Sequence, residues 1–158
     1  MRRKKAKTRI LITISTVILV LVLLCSCSSK TAKTAQEFTD FAEDNGFTVS
    51  DVTEETETNG LVKTILLANC EDYQLEFLVL NDADTAESVF YGNVENFDSE
   101  AALKTSTKQV DTSNYNYYEF VSDDMFCVVS RVEDTMLLCV ADKEFKDDIL
   151  EDIKQLGY

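Results

Sequence analysis

The hydrophobic and polar positions of this chain fall into three kinds of pattern. Ile10 to Leu24 is an apolar run that only small hydroxyl residues interrupt. Tyr73 to Leu80 alternates, with apolar odd-numbered positions and polar Gln74 and Glu76 between them, which predicts a half-buried β-strand. Elsewhere, apolar residues recur every three or four positions, a spacing typical of amphipathic helices.

Three amphipathic helices are predicted. Thr34 and Glu37 have the spacing of a capping box, which marks the start of the first helix. The Asn45-Gly46 pair ends it, because glycine readily adopts the left-handed conformation after a last turn. The three helices run from the Thr34 cap to Asn45, from Asp82 and Asp84 to about Phe97, and from Lys143 to Leu156.

The remaining apolar segments predict strands. Glu71-Asp72 is a short turn, so the strands on either side of it form a hairpin. The last two strands are apolar on both faces, as at the centre of a sheet, whereas the polar segment from Asp98 to Lys108 predicts a surface loop. The predicted strands are a weak Thr48 to Val52, then Leu61 to Asn69, Tyr73 to Leu80, Tyr115 to Val121, Met125 to Val132 and Met136 to Ala141.

The order of these elements predicts an α+β fold in residues 34–158. It is α-β(2–3)-α-β(3–4)-α, which suits one domain with an antiparallel sheet of five to seven strands and three helices on one face. Residues 34–47 and 84–97 resemble each other in their caps and aromatic positions. Two related halves are therefore one hypothesis, and an unrelated pair of helices is the other.

The N-terminal segment has the parts of a secretory signal. Residues 1–9 carry six Lys and Arg residues and no acid, and the apolar run from Ile10 to Leu24 follows them. A helix of that length covers about 22 Å, which is less than the ~30 Å hydrocarbon core of a bilayer. The pattern therefore favours a signal peptide over a membrane span. The alternative is an uncleaved anchor from Ile10 to Cys27, which also places the domain outside.

The residues after this run resemble the lipobox of bacterial lipoproteins. Leu24-Cys25-Ser26-Cys27 has a leucine three positions before a cysteine and a small residue just before it. The resemblance implies a diacylglyceryl group on the Cys27 thiol and cleavage between Ser26 and Cys27. It divides the chain into a signal peptide (1–26), a lipidated cysteine with a tether (27–33) and one domain (34–158).

The rest of the chain resembles small uncharacterised lipoproteins of Gram-positive bacteria. They share a lipobox, a short helix, sheet strands and a C-terminal helix with a tail like Leu156-Gly157-Tyr158. The resemblance implies attachment to the outer face of the cytoplasmic membrane and handling by lipoprotein-processing enzymes. It provides no catalytic residue to transfer to this chain.

The acidic balance of the domain restricts its partners. Six of the 15 Lys and Arg residues lie in residues 1–9 and all 29 Asp and Glu residues lie after residue 26, which leaves a net charge of −20 for residues 27–158. Such an excess argues against nucleic acid as a partner, and against the domain lying flat on an anionic bilayer.

Composition also limits the chemistry. The chain has no histidine, which excludes Ser-His-Asp, Cys-His and zinc–histidine sites. Cys70, Cys127 and Cys139 remain after processing, either as buried thiols or with a Cys127–Cys139 disulfide. The clustered acids are explained as helix caps and turn formers; calcium binding or a carboxylate-based hydrolase are the alternatives. No cofactor or metal is expected.

The aromatic cluster around Tyr115 is the candidate interaction surface. Tyr115 and Tyr117 share one face of their strand, and Tyr118 lies on the other. Exposed tyrosines on a sheet suit contacts with an envelope protein or a glycan, and ordinary strand propensity is the simpler explanation of the cluster. We expect a non-enzymatic, lipid-anchored binding module, with an extracytoplasmic hydrolase and a cation-binding or sensing module as alternatives.

Overall fold

A computed structural model of the chain describes residues 30–100 and 105–158, and the seven strands in these ranges form one antiparallel sheet. The sheet order is β1-β2-β3-β7-β6-β5-β4, so two meanders meet where β3 pairs with β7. The predicted α+β class and the order of the elements are confirmed. The strands are β1 Thr48–Asp51, β2 Val62–Asn69, β3 Gln74–Leu80, β4 Ser106–Asp111, β5 Tyr115–Val121, β6 Met125–Val132 and β7 Thr135–Asp142.

The helices begin and end at local signals that the sequence contains. The predicted capping box of the first helix is present, because the Thr34 hydroxyl accepts from the amide of Glu37 and the Glu37 carboxylate accepts from the amide of Thr34. Gly157 ends the last helix in the left-handed conformation. No helix within residues 30–100 and 105–158 combines the length and apolar character that a bilayer span requires. The helices are α1 Ala35–Asp44, α2 Ala83–Glu100 and α3 Lys146–Leu156, the last preceded by a 3-10 turn at Lys143–Phe145.

The helices cover both faces of the sheet, which corrects the expectation that they share one. One hydrophobic cluster joins α1 and α3 to the sheet and includes Phe38, Phe77 and Ile149. The other joins α2 to the opposite face and includes Phe90 and Met136. Successive residues of β6 and β7 enter the two clusters in turn, so both faces of these central strands require an apolar cover.

The segment predicted to be a loop from Asp98 to Lys108 contains a strand. In the structure α2 extends to Glu100, and Ser106–Asp111 pairs with Tyr115–Val121 as the edge strand β4. Its side chains are mostly exposed and polar, so its place depends on backbone hydrogen bonds to β5. An exposed edge strand carrying a lysine is typical of sheets that resist further strand pairing.

The placement of the helices bears on the hypothesis of two related halves. If the halves were related by a twofold rotation, that rotation would exchange β3 and β7. Because these strands are antiparallel neighbours, its axis would be perpendicular to the sheet. Such a rotation keeps every helix on the same face, so equivalent helices of the two halves would share a face. The helices α1 and α2 lie on opposite faces. A simple twofold rotation therefore does not superpose the two halves.

No disulfide joins the three cysteines of the described ranges to one another. Cys127 belongs to the cluster under α2 and Cys139 to the cluster under α1 and α3, so their side chains lie on opposite faces of the sheet. That geometry excludes the Cys127–Cys139 disulfide, because the two sulfur atoms point away from each other. Burial also raises the pKa of the Cys139 thiol to about 12.

We expect Cys70 to be the reactive thiol of the folded domain. It is partly exposed, whereas Cys127 and Cys139 are buried. Alkylation of the native protein at mildly alkaline pH, followed by peptide mass spectrometry, should modify Cys70 at least about tenfold faster than the other two. In urea all three should react at similar rates. Rapid native modification of Cys139 would contradict its burial.

Candidate interaction surface

The face of β5 that is shared with α1 and α3 carries Tyr115, Tyr117 and Glu119 in a row. The helices lie mainly elsewhere on this face, since α1 packs on β1 and β2 and α3 packs on β7. Lysine side chains from three separate parts of the chain provide the cover above β5. They come from the segment before α1, from β4 and from the start of α3.

Lys30 holds the segment before α1 against the start of β5. Its ammonium nitrogen lies 4.3 Å from the centroid of the Tyr115 ring and donates a 3.1 Å hydrogen bond to the carbonyl of Gly157. Its own carbonyl accepts a 3.4 Å hydrogen bond from the side-chain amide of Asn114. A cation over an aromatic face is attracted to the ring quadrupole, so these contacts fasten Lys30 to the domain.

Lys108 takes the same position over the next tyrosine. The β4–β5 register places Lys108 opposite Glu119 and Val110 opposite Tyr117, and the lysine nitrogen lies 4.9 Å from the Tyr117 ring centroid. Beneath it, the Tyr117 hydroxyl donates to the Glu119 carboxylate. Burial, followed by this hydrogen bond and the charge of Glu119, raises the pKa of Tyr117 well above its usual range. The phenol therefore stays protonated at physiological pH.

Lys146 completes the row from the first residue of α3. Its nitrogen lies 3.7 Å from a carboxylate oxygen of Glu119 and 5.5 Å from the Phe126 ring centroid. Glu119 is nearly buried, so its charge requires the partners that Tyr117 and Lys146 provide. Lys146 is thus partly committed to a structural ion pair, whereas Lys108 is exposed.

We call this surface the lysine–tyrosine face and define it by the residues that form it. The residues that define it carry three lysines and one carboxylate, which is already hydrogen-bonded, within a strongly acidic domain. Burial lowers the pKa of Lys30, and the nearby charge of Lys108 lowers it further. The face consists of Lys30, Lys108, Tyr115, Tyr117, Glu119 and Lys146.

The structure places the predicted tyrosines together but not in the open. Tyr115 and Tyr117 share a face, with ring centroids 6.4 Å apart, and Tyr118 lies on the opposite face with Phe120. The expectation that Tyr115 and Tyr117 are solvent-facing needs correction, since Tyr117 is only 4% exposed and Tyr115 is half-buried. Lysine side chains lie above both rings, with the nitrogen of Lys30 over Tyr115 and that of Lys108 over Tyr117.

The lysines of the face were not identified from the sequence. Lys108 falls in the segment predicted to be a loop, and Lys30 and Lys146 lie far from the tyrosines along the chain. The fold brings them together through the pairing of β4 with β5 and through the packing of the segment before α1 and of α3 on the sheet. The predicted lipidation and cleavage residues, Ser26 and Cys27, lie outside the described residues.

The acid clusters have mostly structural surroundings. Asp82 accepts a 2.7 Å hydrogen bond from the amide of Thr85 at the start of α2, as expected for a helix cap. Asp123 and Asp124 lie at the β5–β6 turn, beside a shallow depression of about 550 Å³ that Asp142 also lines. Within the described ranges, no group of three or more Asp, Glu or Cys side chains is arranged to hold a metal ion.

A smaller acidic depression surrounds Tyr73, with a volume of about 320 Å³. The Tyr73 hydroxyl donates a 2.6 Å hydrogen bond to the carboxylate of Asp152. Burial raises the pKa of Asp152, the Tyr73 hydrogen bond opposes this rise, and the neighbouring charges of Asp148 and Glu151 add to it. The depression therefore concentrates negative charge around one phenol.

Comparisons of the chain with protein-family models, with curated proteins and with solved structures find no match. The function is therefore argued from the residues and their geometry.

Proposed function

We propose that this chain is a lipid-anchored extracytoplasmic domain that acts as a non-enzymatic binding module. A diacylglyceryl group on Cys27 holds it at the outer face of the cytoplasmic membrane, after lipoprotein-processing enzymes have removed residues 1–26. The observation that carries the proposal is the position of Lys30. Lys30, three residues after the proposed lipid site, already bonds to the domain through Gly157 and Asn114, which suits a domain held at the membrane surface by a lipid.

The anchor is physically sufficient without help from the domain. One acyl chain gives only marginal membrane binding, and each buried methylene adds about 0.8 kcal/mol, so two chains hold a protein stably. The apolar run from Ile10 to Leu24 has the length of a signal peptide, and the lipobox-like residues follow it directly.

The binding role is supported by the lysine–tyrosine face. It gathers three lysines beside a single carboxylate, and such a surface suits an acidic component of the envelope. The alternative of a cation-binding or sensing module has one observation in its favour, the carboxylates around Tyr73. A rise in melting temperature on adding calcium would support that alternative. The hydrolase alternative would require two carboxyl groups that converge on one cleft.

Substitution of Cys27 tests the anchor. In the expressing cell, the wild-type protein should begin at Cys27 and carry the mass of a diacylglyceryl group. Cys27→Ala should remain at full length without lipid, because the thiol that accepts the lipid is absent. Mass spectrometry of the N-terminal peptide measures both outcomes.

Cys25→Ser is the matched control, since it changes the other cysteine of the lipobox-like segment and should be processed like the wild type. A Cys27→Ala protein that is still cleaved and acylated would refute the assignment. So would a wild-type domain that is located in the cytosol of intact cells.

A further inference from the structure

We infer that the lysine–tyrosine face is the membrane-facing surface of the domain and docks on the anionic headgroups of the bilayer that holds its lipid. The inference rests on the proposed anchor at Cys27 and adds an orientation to it. It names the partner of the face as lipid headgroups carrying negative charge, which Lys30, Lys108 and Lys146 contact. Three independent observations support it.

The first observation is the number of residues between Lys30 and the proposed lipid site. Lys30 is fastened to the domain through Tyr115, Gly157 and Asn114, so only residues 28 and 29 separate it from the proposed lipid site. Three fully extended steps along the chain span at most about 11 Å. The headgroup layer of one leaflet is itself about 5–8 Å thick. Lys30 is therefore held at or just above the headgroups, and the domain cannot stand away from the membrane.

The second observation is the place where the tether joins the domain. It joins at the lysine–tyrosine face, since the ammonium of Lys30 lies over the ring of Tyr115. Lys108 lies over the adjacent tyrosine, and Lys146 lies over the Glu119 side chain next in the row. The short anchor therefore brings this face nearer to the bilayer than the α2 side of the sheet.

The third observation is charge complementarity. The face gathers three of the basic residues of a domain whose net charge is −20, and its one carboxylate is already bonded to Tyr117 and Lys146. Anionic lipids attract lysines within about a Debye length, roughly 8 Å at physiological salt. The strongly acidic remainder is repelled by the same lipids, so both effects favour the same orientation. The net charge alone predicts that the domain is repelled from an anionic bilayer, because it does not take into account that three lysines lie on one face.

Lysine acetylation of the mature lipidated protein in vesicles tests the orientation. The vesicles contain phosphatidylcholine alone or equal parts of phosphatidylcholine and phosphatidylglycerol, and peptide mass spectrometry measures the rate at each lysine. On the anionic vesicles, Lys30, Lys108 and Lys146 should react about fivefold more slowly than on neutral ones. Lys63 and Lys154 should react equally on both, because they lie outside the face. High salt, which shortens the Debye length, should remove the difference.

Charge reversal sharpens the test. Lys108→Glu should weaken the protection of Lys30 and Lys146, because the exposed end of Lys108 contributes positive charge to the face. Lys154→Glu is the matched control, with a side chain that is 78% exposed and pairs only with nearby Glu151 among the ion pairs of the described ranges. It should leave the protection unchanged and keep the wild-type melting temperature.

Flotation of the vesicles separates failure of the orientation from failure of the anchor. Protein that floats with the vesicles but shows equal lysine rates on both compositions would overturn the docking and leave the anchor intact. Protein that does not float would overturn the anchor at Cys27, and the orientation with it. Protection found on intact cells but not on anionic vesicles would assign the face to another envelope component and would also overturn the docking.

Discussion

Phe77→Ala is expected to lower the free energy of unfolding by about 3–5 kcal/mol and the melting temperature by roughly 10–20 °C. Phe77 is fully buried on β3, where the two meanders of the sheet meet. Its ring stacks on Phe38 of α1 at 4.7 Å and meets Tyr158 edge-on at 6.3 Å. Truncation removes the contact of three elements at once and leaves a cavity between them. Urea unfolding followed by circular dichroism measures the loss.

Two further variants show whether the loss comes from this packing. Phe77→Leu should cost less than half as much, because most of the apolar volume remains. Val140→Ala is the exposed control, a residue of β7 that is 51% exposed and should cost less than about 1 kcal/mol. A loss below about 1 kcal/mol for Phe77→Ala would mean that the cluster under α1 and α3 is not a tightly packed core.

Arg131→Ala should destabilise the domain by about 3 kcal/mol or more. The Arg131 side chain is 1% exposed, and its guanidinium donates to Asn116 Oδ1 at 2.5 Å and to the Glu133 carbonyl at 2.8 Å. Longer contacts of 3.4 and 3.5 Å reach the carbonyls of Ser113 and Ala83. This one side chain therefore joins the β4–β5 turn and the β6–β7 turn to the start of α2. Its removal leaves buried acceptors without donors.

The Arg131 prediction has its own control series. Arg131→Lys keeps the charge but loses the planar fork, so it should recover only part of the stability. Lys154→Ala removes an exposed cation and should change stability by less than about 0.5 kcal/mol. Both are measured by urea unfolding at neutral pH. Wild-type stability in Arg131→Met would show that apolar packing replaces the buried network without cost, which would contradict the prediction.

The parts of the fold that the sequence predicts correctly are those with local causes. The capping box of Thr34 and Glu37 and the left-handed Gly46 after the first helix act within one helical turn. The alternation of apolar and polar residues predicts strand β3 correctly. The alternation is visible because one face of the strand is more apolar than the other. The edge strand β4 has no such signal, since its exposed side chains resemble those of a loop and its partner lies in β5.

The arrangement of the layers could have been predicted from β6 and β7. Their runs are apolar on both faces, and such strands require cover on both sides. Placing all the helices on one face conflicted with that pattern. The lysine–tyrosine face was only half predictable. The spacing of Tyr115 and Tyr117 puts them on one side, but the lysines above them arrive through strand register and helix docking.

The opposite placement of Cys127 and Cys139 affects how the domain could mature. No disulfide joins the three thiols of the described ranges to one another, so no covalent crosslink among them contributes to the stability of the domain. Folding then needs no oxidant and no disulfide isomerase, and dithiothreitol should leave the unfolding midpoint where it is. The sheet reaches its final form through packing and backbone hydrogen bonds, whatever redox conditions it meets after synthesis.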